Sequence, residues 1–277
     1  MNQPIISIMT NIKNEPDLIE WCLYHLHILK FDKIFICDNE SDIPAKTITS
    51  KNSLIKDKIT IFNLVGDKIK KRAREYYYNN FLTHSDWTLF IDADEYLVLK
   101  TQENIHDFLK QEKFLKNPAG IVDCITFNWK MMGSNGIEKR NSKLVIDNFT
   151  DCETFNLNPH VKSLVKNNNI IDYSCPHNVK VQNITVDTNG ILKKNGPFHE
   201  QLEQKDCIFH FWCKSKEDWI NKCNTCSENN GTDDGGGMRG RNINRWNKKY
   251  DFSDNFLKLQ YSEKLNKLMR LSKINYT

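Results

Sequence analysis

Through the first hundred residues, short apolar runs alternate with longer stretches in which apolar positions recur every three or four residues. The run from Ile5 to Met9 predicts a strand, and Pro16 opens a predicted helix reaching about Leu29, since a proline's missing N–H has no partner in a first helical turn. Leu18, Cys22, Leu26 and Leu29 mark the face of that helix expected to be buried. Further strands are predicted at Ile34 to Cys37, Ile59 to Leu64 and Trp87 to Ile91, with a basic helix from about Lys68 to Leu82 before the last of them. Repeated strand and helix units with short, continuously apolar strands predict an α/β fold on a mixed, mainly parallel central sheet with helices on both faces.

Beyond a predicted helix around Ile105 to Phe114 the pattern changes. Strands are expected at Ile121 to Asn128, Val161 to Val165, Asn178 to Val186 and Gly190 to Lys194, with Asp187-Thr188-Asn189-Gly190 as a hairpin turn. A helix near Lys216 to Ser227 precedes a glycine-rich stretch at 231–237, and Leu257, Tyr261, Leu265 and Leu268 place one apolar stripe on a helix over about Asp254 to Leu271. No internal repeat and no clean linker interrupts the chain. The expected organisation is one domain over 1–240, with an α/β first half (1–120) and a β-rich second half (121–240), followed by a helical segment at 241–277.

Composition sharpens this picture in three places. The 277 residues carry 39 Lys+Arg against 35 Asp+Glu, an ordinary balance for a soluble enzyme, and 15 Phe, 9 Tyr and 6 Trp supply bulky core material despite an apolar fraction of 39%. No run approaches the roughly 18 apolar residues of a spanning helix, the first residues lack a basic region, and nine Cys is an odd number; these predict a cytoplasmic chain with reduced thiols. The charge is uneven: residues 238–277 hold 10 Lys+Arg and 3 Asp+Glu, while the rest is slightly acidic. That basic segment either docks with its charges solvated or makes peripheral contact with an anionic membrane. The 33 Asn residues, including Asn167-Asn168-Asn169, read as loops before they read as binding sites.

In doubly wound sheets, ligands gather beyond the carboxyl ends of the strands. The first strand is followed by Thr10, Lys13, Asn14 and Glu15, the second by Asp38, Asn39 and Asp42, and the fourth by Asp92-Ala93-Asp94-Glu95. Two carboxylates at i and i+2 can share a hard divalent cation whose remaining positions are filled by diphosphate oxygens. Asp-x-Asp alone is a weak motif, but here it interrupts the apolar runs Trp87 to Ile91 and Tyr96 to Leu99, where exposed carboxylates would otherwise break a buried segment.

At this point a family resemblance emerges. Lys13-Asn14-Glu15, Glu20-Trp21, Tyr24-His25, Phe31-Asp32 and Asp38-Asn39 with Ser41-Asp42 resemble the opening of family-2-like and family-92-like glycosyltransferases of the GT-A fold. Asp92-Ala93-Asp94-Glu95-Tyr96-Leu97 looks like their metal-binding motif, and Trp129 with Gly133-Ser134-Asn135-Gly136 looks like a later segment of theirs. Lys162-Ser163, His177, and His210-Phe211-Trp212 with Lys214-Ser215 and Glu217 continue the resemblance in order, over about residues 5 to 240.

The resemblance implies transfer of a sugar from a nucleotide-diphospho-sugar, often UDP-linked, with Mn²⁺ or Mg²⁺, to a glycan, glycolipid or protein-linked acceptor, with inversion; no nucleic acid partner is expected. By position it implies that Thr10, Lys13, Glu15, Asp38 and Asn39 line the nucleoside pocket, that Asp92 touches ribose or metal, and that Asp94 and His210 hold the metal. Arg72 or Lys71, Lys214 and Arg239 would offset diphosphate charge. Trp129, Gly133, Ser134, His177 and Glu95 would fall on the acceptor side, with Trp129 alternatively a core residue, His177 alternatively a structural hydrogen-bonding group and Glu95 alternatively a cap for its turn.

An inverting displacement needs a carboxylate base on the acceptor hydroxyl, for which Glu200, Asp151 and Glu153 are candidates. A competing arrangement is a structural zinc site at Cys207, His210, Cys213, Cys223 and Cys226, which would remove His210 from the metal-diphosphate role. Two rival functions are a carbohydrate- or nucleic-acid-binding module without catalysis, and a sugar-phosphate nucleotidyltransferase. The second would want a glycine-rich, Lys/Arg-bearing loop after the first strand, and the sequence has none there.

Overall fold

Ten strands build one mixed sheet: β1 Ile6–Ile12, β2 Lys33–Asp38, β3 Ile59–Asn63, β4 Trp87–Phe90, β5 Glu95–Val98, β6 Val122–Met131, β7 Asn158–Lys166, β8 Ile184–Asp187, β9 Leu192–Lys193 and β10 Cys207–His210. The structure, a computed structural model, describes residues 3–66, 69–154, 157–173, 175, 177, 179–194, 196–200, 205–227, 246 and 250–273. The strand order is β9-β8-β6-β7-β4-β1-β2-β3, with β10 paired to the end of β6 and β5 paired to β10. β3, β2, β1 and β4 run parallel, β7 runs antiparallel between β4 and β6, and β8 and β10 both run parallel to β6. The α/β class and the mixed, mainly parallel sheet are therefore as expected.

The apolar runs are continuous because both faces of the sheet are covered. In β2, Ile34 and Ile36 enter one core while Phe35 and Cys37 enter the other, as the two-residue repeat of a strand requires. The first core lies under α1 (Leu18–Leu23) and α8 (Phe256–Lys273); the second lies under α3 (Ile69–Phe81). The expected helix from Pro16 is shorter at its start and ends in a π-helical turn over Tyr24–Ile28, closed by Leu29 N–H donating to Tyr24 O at 3.1 Å. Leu18, Cys22, Leu26 and Leu29 are buried as expected, but so are Trp21, Leu23, Tyr24, His25 and Ile28. Little of the helix faces solvent there, His27 being part-exposed, because α8 packs on it from outside, with Tyr261 edge-on to Tyr24 at 5.8 Å.

On α8, Leu257 and Leu265 are buried and Tyr261 and Leu268 pack partly against the same core, so the predicted stripe is the docked face. Lys258, Lys264, Lys267 and Arg270 are exposed on the other side. Among the described residues no helix is long and apolar enough to cross a membrane.

Several elements escape the periodicity. The predicted helix over 105–114 is two short helices, α4 (Ile105–Leu109) and α5 (Glu112–Leu115). α2 (Ala45–Thr49) and α6 (Val145–Asn148) are too short to show a repeat. The predicted strand over 178–186 is split, because Asn183 turns aside to donate its N–H and Nδ2 to the buried Asp123 carboxylate at 3.0 and 2.7 Å.

The hairpin turn forms at 187–190, where Asp187 Oδ1 accepts the N–H groups of Asn189 and Ile191 and Gly190 adopts φ +80°. A Cβ on Gly190 would stand 3.1 Å from Lys113 Cβ and 3.3 Å from Lys113 O. Gly190→Ala is therefore expected to cost about 1–2 kcal/mol from the left-handed backbone alone. Urea unfolding with an unchanged m-value checks this.

Candidate active site

β4 stops at Phe90 and the chain turns through Ile91-Asp92-Ala93-Asp94 before entering β5, with Glu95 N–H closing the turn on Asp92 O at 3.1 Å. β5 runs antiparallel to β10, with Glu95 opposite His210, so the turn is held beside the end of β10. Glu95 folds back beneath its own turn: it is fully buried, and its Oε2 accepts the Asp92 N–H at 2.9 Å. That bond caps the turn, one of the two expected roles of Glu95, and its buried Oε1 has no hydrogen-bond partner among the described residues. Burial raises the Glu95 carboxyl to about 7, with Lys162 opposing the shift and Asp92 adding to it.

Each oxygen of the two aspartates faces a nitrogen. Asp92 Oδ1 pairs with Lys70 of α3 at 3.2 Å, and Oδ2 with Lys162 of β7 at 2.8 Å. Asp94 Oδ1 faces His210 Nε2 at 3.6 Å, and Oδ2 accepts a short hydrogen bond from Lys222 of α7 (Lys216–Ser227). Burial alone would raise both carboxyls, but Lys162 and Lys70 outweigh it at Asp92, as Lys222 and His210 do at Asp94, and both are held well below the usual carboxylate range. Both are ionised throughout the neutral range.

Trp129 stands next to this turn. His160 stacks on it at 4.9 Å and 15°, His210 lies 4.5 Å away, His177 meets it edge-on at 5.3 Å, and Lys162 Nζ is 5.6 Å from the ring centre. Its indole N–H is buried and has no hydrogen-bond partner among the described residues. His177 Nδ1 is 2.8 Å from Val161 O, and burial lowers its pKa to about 3, so the ring is neutral with its proton on the carbonyl side.

Two of the expected ligand-side groups form a separate buried network. Lys214 binds Glu15 at 2.9 Å and Asp17 more closely, and Arg140 grips Asp17 through both terminal nitrogens at 2.6 and 2.9 Å while its Nε meets Asp218 at 2.7 Å. Lys214 and Arg140 together overcome the burial that would raise Asp17 and bring it to about 2. Lys214, expected at the diphosphate, is thus spent on acidic side chains. Arg140 and Asp17 carried no motif in the sequence.

The other expected positions are dispersed around the strand ends. Thr10 is buried on β1, and its hydroxyl has no hydrogen-bond partner among the described residues. Asp38 accepts Ser41 N–H at 3.1 Å and Ala45 N–H at 2.8 Å, which starts α2 locally. Lys13 and Asn39 are part-exposed, the latter donating its N–H to Ile12 O. Arg72 Nη1 donates to Val65 O at 2.7 Å. A narrow crevice at the ends of β1 and β4 is lined by Asn11, Arg74, Asp92 and Lys162. Gly133 donates to Asp151 O at 2.8 Å, and the buried Ser134 hydroxyl accepts the Gly136 N–H. Asp151 lies on a two-residue ribbon paired with Ser253; Glu200 is exposed. Arg239, the glycine-rich stretch and the Cys226 side chain lie outside the described residues.

The possible zinc cluster does not assemble among the described residues. Cys207 and His210 are three apart on a strand, which sends them to opposite faces: Cys207 enters the core and His210 faces Trp129. A diphosphate-bound divalent ion asks less of the protein, since one or two protein ligands suffice when phosphate and water supply the rest. Asp94 and His210, facing each other without a hydrogen bond, fit that smaller set, while Asp92 is committed to Lys162 and Lys70. His210 Nδ1 has no orienting partner among the described residues.

No family model matches the chain, and no curated protein matches it. Among solved structures, S. aureus TarS is similar at 15% identity and a TM-score of 0.37, over 58% of this chain and 28% of that one. A 1–349 form of TarS is similar at 14% identity and a TM-score of 0.42, over 83% of this chain and 67% of that one. The mannosyltransferase PcManGT from Pyrobaculum calidifontis, in complex with GDP-Man and Mn²⁺, is similar at 19% identity and a TM-score of 0.32, over 45% and 35%. This chain therefore spans less than half the length of TarS and of the mannosyltransferase.

Proposed function

We propose that the protein is a metal-dependent glycosyltransferase that moves a sugar from a nucleotide-diphospho-sugar, UDP-linked, to a glycan, glycolipid or protein-linked acceptor with inversion. The observation that carries this reading is the meeting of Asp94 and His210: two donors from distant parts of the sequence face one another at 3.6 Å, beyond the carboxyl end of a parallel strand. The remaining motifs of the ordered sequence resemblance over residues 5 to 240 also support it.

In the reaction, negative charge accumulates on the departing diphosphate as the glycosidic bond breaks. A bound Mn²⁺ or Mg²⁺ offsets that charge as a Lewis acid, and Asp94 with His210 would hold it. Lys162 and Glu95 keep the turn in place, the first by binding Asp92 and the second by accepting the Asp92 N–H. Lys70, half-exposed beside Asp92, stands where it can meet an anionic donor. Trp129 and His177 would border the acceptor, and Glu200 or Asp151 would take the proton of its attacking hydroxyl. The exposed lysines of α8 would allow peripheral contact with a membrane carrying a lipid-linked acceptor.

The test is a panel of nucleotide sugars screened by thermal shift with and without Mn²⁺, followed by release of free nucleotide diphosphate. Asp94→Asn is expected to lower turnover by about 100-fold or more with the fold intact. Donor binding that ignores both Mn²⁺ and Asp94→Asn, with no turnover, would instead favour a binding module.

A further inference from the structure

Among the described residues four nitrogens surround the two aspartates; three are lysine ammonium groups, and their settings differ. Lys162 is 1% exposed and lies between Asp92 and Glu95, so it has nowhere else to go. Lys70 is 51% exposed but sits on Asp92. Lys222 alone combines a bond to Asp94 with a way out: its side chain is 30% exposed, whereas the Asp94 side chain is 12% exposed. Its ammonium also donates to Trp212 O at 3.0 Å, so it keeps a partner when it leaves the carboxylate.

We propose that Lys222 is a tethered counter-cation that occupies Asp94 before a divalent ion arrives and must be displaced for the ion to bind. This rests on the metal-dependent reading above. The Lys222 ammonium fills one side of the carboxylate at Oδ2, while Oδ1 faces His210 across 3.6 Å, the gap an ion would enter. A divalent ion entering there meets a positive charge within hydrogen-bonding distance of its own ligand, and the two cannot share Asp94 without strong repulsion. Without the ion, Lys222 spares a mostly buried carboxylate from standing unpaired, which a charge in that setting tolerates poorly. The folded chain is thereby compatible with an ion-free state, and the ion's apparent affinity is lowered by the strength of the pair it must break. Displaced from Asp94, the ammonium remains on α7 beside the ion's anionic ligands, so an arriving diphosphate restores the ion pair that the metal removed.

The measurement is Mn²⁺ binding alone, followed by the loss of free Mn²⁺ in electron paramagnetic resonance, with no nucleotide or sugar present. Lys222→Met is expected to bind Mn²⁺ about tenfold more tightly than the unaltered protein, because the competing cation is gone. Lys222→Arg, which keeps the charge, is expected to stay within about twofold of the unaltered protein. It also controls for any disturbance of α7, and circular dichroism confirms that each variant is folded. Asp94→Asn is expected to lose binding. Mn²⁺ binding that disappears in Asp94→Asn but is no tighter in Lys222→Met overturns the displacement while the metal reading stands. Absence of binding in both the unaltered protein and Lys222→Met, persisting when UDP is added to complete the ion's coordination, overturns the two together.

Discussion

Replacing Lys162 by methionine is expected to lower the unfolding free energy by about 3–5 kcal/mol, the range found when one partner of a buried ion pair is removed. The Lys162 ammonium is 1% exposed and lies 2.8 Å from Asp92 Oδ2 and 3.4 Å from Glu95 Oε2. Burial works against its charge, but Asp92 and then Glu95 more than compensate, and its pKa is held above the ordinary lysine value. Methionine matches the stem and removes the charge, leaving two carboxyls of one turn facing each other. Glu95 can respond by holding its proton to still higher pH, but Asp92 keeps only the half-exposed Lys70. A melting temperature lower by on the order of 10 °C should result. The second substitution Asp92→Asn, introduced into Lys162→Met, is expected to recover part of the loss, since the charge left unpaired is then gone. A loss below about 1 kcal/mol, or strictly additive effects of the two substitutions, would show that the pair does not hold the turn.

Lys162 also marks where the sequence was readable and where it was not. A lysine inside the apolar run Val161 to Val165 is itself a signal, because a fully buried lysine requires a partner. The strand register then supplies the partner: Leu164 lies opposite Leu89 at the end of β4, so Lys162 falls beside the turn that follows. The strand runs of the first half predicted the parallel sheet because burial on both faces makes them continuous, and the π-helical end of α1 was invisible because an apolar residue at every position of Leu23 to Leu26 except His25 obscures any period. β5 was missed for another reason. It is only Glu95–Val98, and its first residue is a glutamate whose burial depends on Lys162 and on the backbone of Asp92.

The site divides in the same way. The Asp92 and Asp94 turn stood out as carboxylates after an apolar strand, and its meeting with His210 was anticipated only through the family resemblance. Lys222 and Arg140 did not stand out, since each lies in a polar stretch where a basic residue needs no explanation, and only the fold brings them to Asp94 and Asp17. The partners of Lys214 were hidden in the same way: its ammonium pairs with Glu15 and Asp17 from the loop after β1, acidic residues far away in the sequence.

The second large effect is on the pH dependence of stability, and it belongs to Glu20. This carboxyl on α1 is buried, accepts the Val145 N–H at 3.1 Å on Oε1 and 2.8 Å on Oε2, and is raised to about 8 by burial and then by Asp17, against the Val145 and Lys214 contributions. Between the ordinary glutamate value and pH 8 the folded chain keeps a proton that the unfolded chain has released. Stability from this group is therefore complete at acid pH and falls as pH rises, by about 1.4 kcal/mol per unit and by on the order of 4 kcal/mol in all. Below pH 6.5 the neutral buried imidazoles of His25 and His177, both lowered to about 3, act with the opposite sign and mask the fall. Glu95, raised to about 7, adds to the fall but is exhausted above that value. The buried thiols of Cys22, Cys124, Cys207 and Cys213 contribute only once an unfolded thiol begins to ionise near pH 8.5. Glu15, raised by burial against Lys214, acts with the same sign, so Glu20 is identified by the part of the fall from pH 7 to 8.5 that its substitution removes. Over that interval Glu20 should account for a loss of about 1–2 kcal/mol in urea unfolding, and Glu20→Gln, whose amide oxygen can still accept the Val145 N–H, should lose less than the unaltered protein by that amount. Parallel profiles for the two proteins would mean that Glu20 is ionised in the folded state and that the backbone N–H groups of α6 suffice to keep it so.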